Sequence, residues 1–472
     1  MSEKDQTTEL EERLSYRREN FWEIASEVEK KNAFDFAKSY MDFLDKGKTE
    51  RQVVAETEHI LLQNGFVLLD KDTPKDKKKV FQINRGKNII AANFGNLDIR
   101  SGVNLIVSHI DSPRIDLKQV PLFEDKNAKL AMLHTHYYGG IKKYQWMAMP
   151  LAIMGVVIKE DGEAVDISIG NKPDDPVFTF TDIAPHLAKD QLKKKLDEAI
   201  DADKLRLLFG SIPYPQSKKD GIKLYCLSLL EKEYGIREED FISAELTIVP
   251  AFSARDVGID RSMIGSYGHD DRICVYSSLR GFLDTKENER TAIIFMADKE
   301  EIGSTGNTGI TSQFYINFIA DLIGFAGYDS SKFLREILSN STVISADVNV
   351  ALNPLFPELH EKQNAALLGY GVCLTKFTGS AGKRGANDAS AELVARIRAL
   401  FNSNNICWQT GEIGKVDVGG GGTVAKFVAE YNANVIDCGP PVLAMHSPFE
   451  VASKGDLYST YLAYKSFFEK YH

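Results

Sequence analysis

Apolar residues in the first 65 positions recur at helical intervals. Phe34, Ala37, Tyr40, Met41 and Leu44 share a face, and Leu61 and Leu62 lead into a stop at Gly65. The pattern then turns β-like over residues 80–95 (VFQINRGKNIIAANFG), with Arg85-Gly86 as a turn. Beyond it, short apolar runs alternate with helical segments, the signature of an α/β sheet.

Four of those runs end alike. VNLIV (103–107) leads into Ser108-His109-Ile110-Asp111, and TAIIFMA (291–297) into Asp298-Lys299-Glu300-Glu301. TVISA (342–346) ends on Asp347 and VLAM (442–445) on His446. Each reads as a short strand with His or an acid at its carboxyl end, where open α/β sheets bind ligands. Side chains far apart in sequence are therefore expected to converge.

Between residues 121 and 247 the texture differs. Asp161-Gly162 sits between GVVIK and AVDISI as a hairpin signal, and LAKDQLKKKLDEAIDADKL (187–205) reads as a Lys-rich helical stretch before Pro213 and Pro215. Lys193–Lys195 reads as a solvated helix face. The expected organisation is a discontinuous catalytic domain, 1–120 and 248–472, interrupted by a β-rich domain, 121–247.

Composition narrows the function. The 472 residues are 43% hydrophobic and 26% charged, as in an ordinary folded protein. A net charge of −10 gives no basic footprint for nucleic acid. The longest apolar stretch, residues 147–158, is broken by Pro150 and Gly155 and falls short of the roughly 18 residues a span needs. The charged start MSEKDQTTELEERLSYRREN does not read as a signal peptide. Five scattered cysteines without a CxxC indicate neither a disulfide framework nor a thiolate zinc site. The expectation is a soluble, cytoplasmic protein that binds neither nucleic acid nor membrane.

His and carboxylate at strand ends suit zinc, manganese or cobalt without any thiolate. Residues i and i+2 of an extended segment share a face, so Asp111 can accept the spare ring N–H of His109 and fix its tautomer. In Gly268-His269-Asp270-Asp271-Arg272, one acid can lie between two metals, or can simply cap the helix over 273–283. The adjacent Glu300 and Glu301 repel each other and call for a cation. Glu301 can ligate it while Glu300 takes a proton from water.

Other candidates have plainer readings. His134 and His136 form an HxH pair outside the strand-end set. His59 reads as surface, His360 and His472 carry no case, and His186 has nothing local to justify it. Gly419–Gly422 lacks the Lys-Ser/Thr of a phosphate loop and reads as a close backbone approach, a pocket wall or a plain loop.

SHIDSPR, GHDDRI, DKEEIGS, SADV and AMHSP, in that order, together resemble the aspartyl aminopeptidase family of co-catalytic zinc aminopeptidases. The resemblance implies a dinuclear zinc exopeptidase: a zinc-exopeptidase-like α/β domain, its mixed sheet flanked by helices, with an inserted β-rich domain. It places His109 and Asp347 on one metal, Glu301 and His446 on the other, Asp270 between them, and Glu300 as general base beside Asp111. It implies peptide substrates with a free N-terminus and a tetrahedral dodecamer with active sites facing an internal chamber. It further assigns His186 to a neighbouring subunit's active site and Lys376 to the substrate pocket. Val350 and Asn353 stand where eukaryotic members have the two histidines of H-x-x-H-P, and Gly419–Gly422 also departs from that form, so acidic and neutral N-terminal preferences both stay open. The competing readings are a carboxypeptidase or deacylase of the same fold, and a non-catalytic assembly protein.

Overall fold

A computed structural model describes residues 10–11 and 13–472. The charged start of the chain, as far as residue 9, lies outside them. Two capping boxes set the first long helices: Ser26 with Glu29 opens Glu27–Lys46, and Thr49 with Gln52 opens Glu50–Gln63. Ala37, Tyr40 and Leu44 are buried as their spacing requires.

The main sheet has nine strands. From one edge they run Val67–Leu68, Lys79–Asn84, Asn88–Asn93, Thr291–Ala297, Val103–His109, Thr342–Ser345, Asn434–Gly439, Val372–Thr375 and Trp408–Thr410. The sheet is mixed, but four consecutive central strands, Thr291–Ala297 through Asn434–Gly439, are parallel. Val103–His109 shows why these runs are apolar throughout: every residue is buried. Val103, Leu105 and Val107 enter the core under helices Phe314–Phe325 and Ser330–Asn340, while Ile106 enters the opposite core. Each such side chain contributes about 1.5–3 kcal/mol by burial. The opposite core is closed by Glu27–Lys46, Glu50–Gln63, His269–Leu283, Ala391–Ser403 and Lys454–Lys470.

A second, antiparallel sheet has six strands in the order Ala164–Ile169, Leu151–Ile158, Ala244–Pro250, Arg114–Asp125, Leu130–Tyr138 and Arg206–Gly210. With helix Gly221–Tyr234 it encloses a core of its own. The Asp161-Gly162 turn joins two of its strands, as expected. The Lys-rich stretch departs from expectation: it forms short turns at Pro185–Leu187, Gln191–Lys193, Leu196–Ala199 and Ala202–Lys204. Leu192 and Leu196 are exposed there while Ala188, Ile200 and Leu205 are buried, so the apolar face is interrupted and does not repay the cost of nucleating one long helix. Lys193–Lys195 are solvated.

A five-stranded sheet (Arg255–Val257, Met263–Ser266, Glu450–Ser453, Pro441–Leu443, Asn349–Val350) lies next in importance for the site. It corrects the fourth strand end. The strand leading to His446 belongs here, and the central strand of that region is Asn434–Gly439. Pro440 and Pro441 follow it directly; without N–H groups they end its ladder and turn the chain into the smaller sheet. Among the described residues no helix is long and apolar enough to cross a membrane.

Candidate metal centre

Register brings the first ligand candidates together. His109 pairs with Ala297 and Val107 with Ser345, so Asp347, two residues further on, reaches the level of His109. Glu300 and Glu301 follow Ala297 in a single helical turn. Asp270 and His446 come from the five-stranded sheet, where Ser266 pairs with Glu450 and both flanking loops leave the same open end.

The five side chains converge on two points. Asp270 Oδ1 lies 3.1 Å from His109 Nε2, and its Oδ2 lies 3.2 Å from His446 Nε2. Asp347 Oδ1 is 3.8 Å from His109 Nε2, and Glu301 Oε2 is 3.5 Å from His446 Nε2. His109, Asp270 and Asp347 thus form one group and Asp270, Glu301 and His446 another, each with ligand atoms within 4.8 Å. Ligands of a tetrahedral zinc with bonds near 2.0–2.1 Å stand about 3.3 Å apart. Glu300 groups with His109 and Glu301. Asp270 therefore does not act as a simple helix cap: Asp270 and Asp271 are non-helical, and the two Asp270 oxygens face His109 and His446.

Both histidines are oriented through Nδ1. That of His446 is 3.0 Å from the Gly140 carbonyl, and that of His109 is 3.0 Å from the Asp111 carbonyl. The Asp111 carboxylate is slightly farther, at 3.3 Å. Its nearer work is a clamp: Oδ1 accepts the Glu300 N–H and Oδ2 the Glu301 N–H, both at 3.1 Å, and Tyr138 donates its hydroxyl to Oδ2 at 2.9 Å. Glu450 forms a second clamp, accepting the backbone N–H groups of Asp270 and His446. Asp271 accepts the N–H of His109 at 3.2 Å.

The electrostatics ask for cations. Burial pushes the Glu300 carboxyl up to about 8, with Asp347, Asp270 and Asp111 adding to the rise. Burial and the Asp270 charge push Glu450 to about 8 as well. Glu301 stands well above its ordinary range, raised by burial and then by Asp270. Burial alone would lower His446, but hydrogen bonding to Asp270 and the charges of Asp270, Glu301 and Glu450 raise it to about 10.

Glu301 Oε1, Asp270 Oδ1 and Asp271 Oδ1 are buried without a hydrogen bond. The nearby cations are engaged elsewhere, Lys299 with Asp298 and Arg272 with Ser112 and the Lys48 carbonyl. Buried carboxylate oxygens without hydrogen bonds, gathered beside two imidazole nitrogens, fit divalent zinc, and the donor set also suits manganese or cobalt. Ions bind the deprotonated groups, so cation uptake at pH 7 should release protons, and affinity should strengthen as pH rises, because burial and the Asp270 charge hold the ligand candidate Glu301 well above its ordinary range. Calorimetry in buffers of different ionisation enthalpy measures this; uptake without proton release would contradict it.

Other candidates lie apart. His186 is exposed in the turn Pro185–Leu187 and belongs to none of these groups. Lys376 Nζ lies 2.6 Å from Asp388, which also pairs with Lys383. His134 stacks on Phe123, and His136 binds the Tyr137 carbonyl through Nδ1. His59 and His472 are exposed, and buried His360 meets the Asn353 N–H. Gly421 and Gly420 pair with Gly379 and Ser380; a Cβ on Gly420 would stand 2.0 Å from the Gly379 oxygen and one on Gly419 2.2 Å from the Ile413 oxygen, so close backbone approach accounts for these two, while Gly421 and Gly422 have room for a side chain.

Sequence reasoning passed over Glu450, Tyr138 and Gly140. Glu450 stands four residues after His446, just past the AMHSP motif, a spacing that could have marked it. Tyr138 and Gly140 belong to the second sheet and its following loop, and no spacing in the chain points to them.

Residues 43–468 match the family of aminopeptidase I zinc metalloproteases, M18. A probable M18 family aminopeptidase 1 of Thermotoga maritima is 48% identical over 460 residues, covering 97% of this chain and 100% of the relative. The crystal structure of an M18 aminopeptidase from Thermotoga maritima superposes with a TM-score of 0.93 at 47% identity, covering 97% of this chain and 100% of that one. That of aminopeptidase I from Clostridium acetobutylicum gives 0.91 at 42%, with the same coverage. The fold also matches the S. cerevisiae mApe1 dodecamer, with a TM-score of 0.75 at 21% identity over 93% of this chain and 97% of that one.

Proposed function

This chain belongs to the M18 family of zinc metalloproteases and is an aminopeptidase, and from that premise we propose that it removes single N-terminal residues at a centre of two zinc ions sharing Asp270. One observation carries the two-ion reading: the two oxygens of Asp270 face two different histidine nitrogens, at 3.1 and 3.2 Å. His109 and Asp347 would complete one ligand set, Glu301 and His446 the other. Bound zinc supplies Lewis acidity, which polarises the scissile carbonyl and makes water reactive near neutral pH.

The chain's own groups do the rest. Glu300, positioned by the Asp111 clamp, accepts a proton from the attacking water. As the hydroxyl adds to the carbonyl carbon and the C–N bond breaks, Glu300 returns that proton to the departing amine. The substrate's free amine enters the same acidic centre.

Two specificities are compatible with this centre. An acidic N-terminal side chain needs a cation such as Lys376, whose half-exposed ammonium pairs with Asp388 at 2.6 Å and keeps donors to spare. The neutral or broad reading needs no such contact. The assembly we propose is a dodecamer, the state of the fold-related mApe1, in our reading with tetrahedral symmetry and with 121–247 as the inserted domain for oligomerisation and substrate access. Exposed His186 would then serve a neighbouring subunit, and exposed Ile183, Leu187, Leu192 and Leu196 supply apolar surface for the contact. Five buried, unpaired cysteines accord with a cytoplasmic setting.

A matched pair of peptides, one with a free amine and one N-acetylated, tests the reaction. The first residue should be released from the free peptide alone. Equal cleavage of the acetylated peptide, or release from the C-terminus, would contradict it.

A further inference from the structure

Glu450 is 1% exposed and begins strand Glu450–Ser453, which pairs with Met263–Ser266. Beyond the paired end of these strands the Glu450 carboxylate satisfies two backbone N–H groups, one with each oxygen. Oε1 accepts the His446 N–H at 2.7 Å, and Oε2 the Asp270 N–H at 3.0 Å. The two ligand candidates that face each other across 3.2 Å are thus held by one side chain.

The two are not equally dependent on it. Asp270 is also anchored at its carbonyl, which accepts the Ser112 hydroxyl at 2.5 Å. The backbone of His446 lies in the left-handed region, φ +67°, a conformation a non-glycine residue keeps only when its surroundings impose it. Its ring is tied to Gly140 by Nδ1, and Glu450 supplies the partner of its N–H.

We propose that Glu450 is a positioning residue for the His446 side of the centre: it holds His446 in its left-handed conformation and so sets the affinity of the second ion, with little influence on the ion at His109. Glu450 touches neither the water nor the peptide in this account, and acts through the two ligands whose N–H groups it accepts. The inference rests on the two-ion reading above.

Glu450→Gln is nearly isosteric but turns one acceptor into a donor facing a donor. Metal-free protein is titrated with zinc against a chromophoric chelator, alongside thermal melts. Wild type should take up two ions. Glu450→Gln should weaken one of them roughly 10–100-fold, the usual effect of losing a group that orients a ligand, and hold the other within about threefold. Placed in His109→Ala, which leaves the His446 side, the substitution should weaken the remaining ion. Placed in His446→Ala, it should not. At saturating zinc the Glu450→Gln chain should recover turnover, because the lost quantity is occupancy.

If Glu450→Gln does not fold, Glu450→Asp, whose shorter side chain draws both oxygens back, is read by the same titration. Equal weakening of both ions, or of neither, in a folded variant overturns the inference while leaving the two-ion reading standing. Uptake of fewer than two ions by wild type overturns both.

Discussion

Replacing Glu300 by glutamine should reduce turnover of a single-residue amide by roughly 10²–10⁴-fold, the range typical of a lost general acid–base group, with the zinc content unchanged. The substitution keeps the size of the side chain and both backbone contacts to Asp111, since these run through the N–H groups of residues 300 and 301. It removes only the ability to take and return a proton. The elevated carboxyl, at about 8 by burial among Asp347, Asp270 and Asp111, marks Glu300 as a group with high proton affinity. In the loaded enzyme the added positive charge lowers that value and makes the base form available. The loss should therefore fall on kcat at every pH, with little change in KM. Turnover near that of wild type would remove Glu300 from its role.

Replacing Asp270 by asparagine should have an effect as large by a different route. Its two oxygens serve both histidines, so one substitution weakens both ligand sets at once. Losing one member of a buried charge set costs about 3–5 kcal/mol, roughly 10²–10⁴-fold in affinity. Zinc content by mass spectrometry should fall below that of either His109→Ala or His446→Ala, and activity should follow. The fold should persist, because the backbone of Asp270 is held independently at its N–H by Glu450 and at its carbonyl by Ser112. Full zinc content in Asp270→Asn would mean that the carboxylate is not shared.

Much of this centre was legible before any coordinates. Buried parallel strands are short, apolar throughout and end at one edge of the sheet, so His109, Asp347 and Glu300-Glu301 could be expected to meet. His446 was read as a fourth such end and does join the group, but it arrives on a different sheet, because Pro440-Pro441 ends the central strand. Its place depends on pairing between Met263–Ser266 and Glu450–Ser453, segments far apart in sequence, which periodicity does not encode. The same holds for Tyr138 and Gly140, brought to the centre by the packing of a second sheet. The Lys-rich stretch differs for a simpler reason: its composition favours a helix, but Leu192 and Leu196 are exposed and no continuous buried face stabilises one.

The central claim is that two zinc ions and one base perform the hydrolysis of a peptide with a free amine. Stripping the wild-type chain with a chelator and adding back zinc in known amounts, while following release of the N-terminal residue, tests it most directly. Activity should vanish on chelation and return in full at two ions per subunit. Hydrolysis that survives complete removal of metal, or that is fully restored by a single ion, would contradict the account.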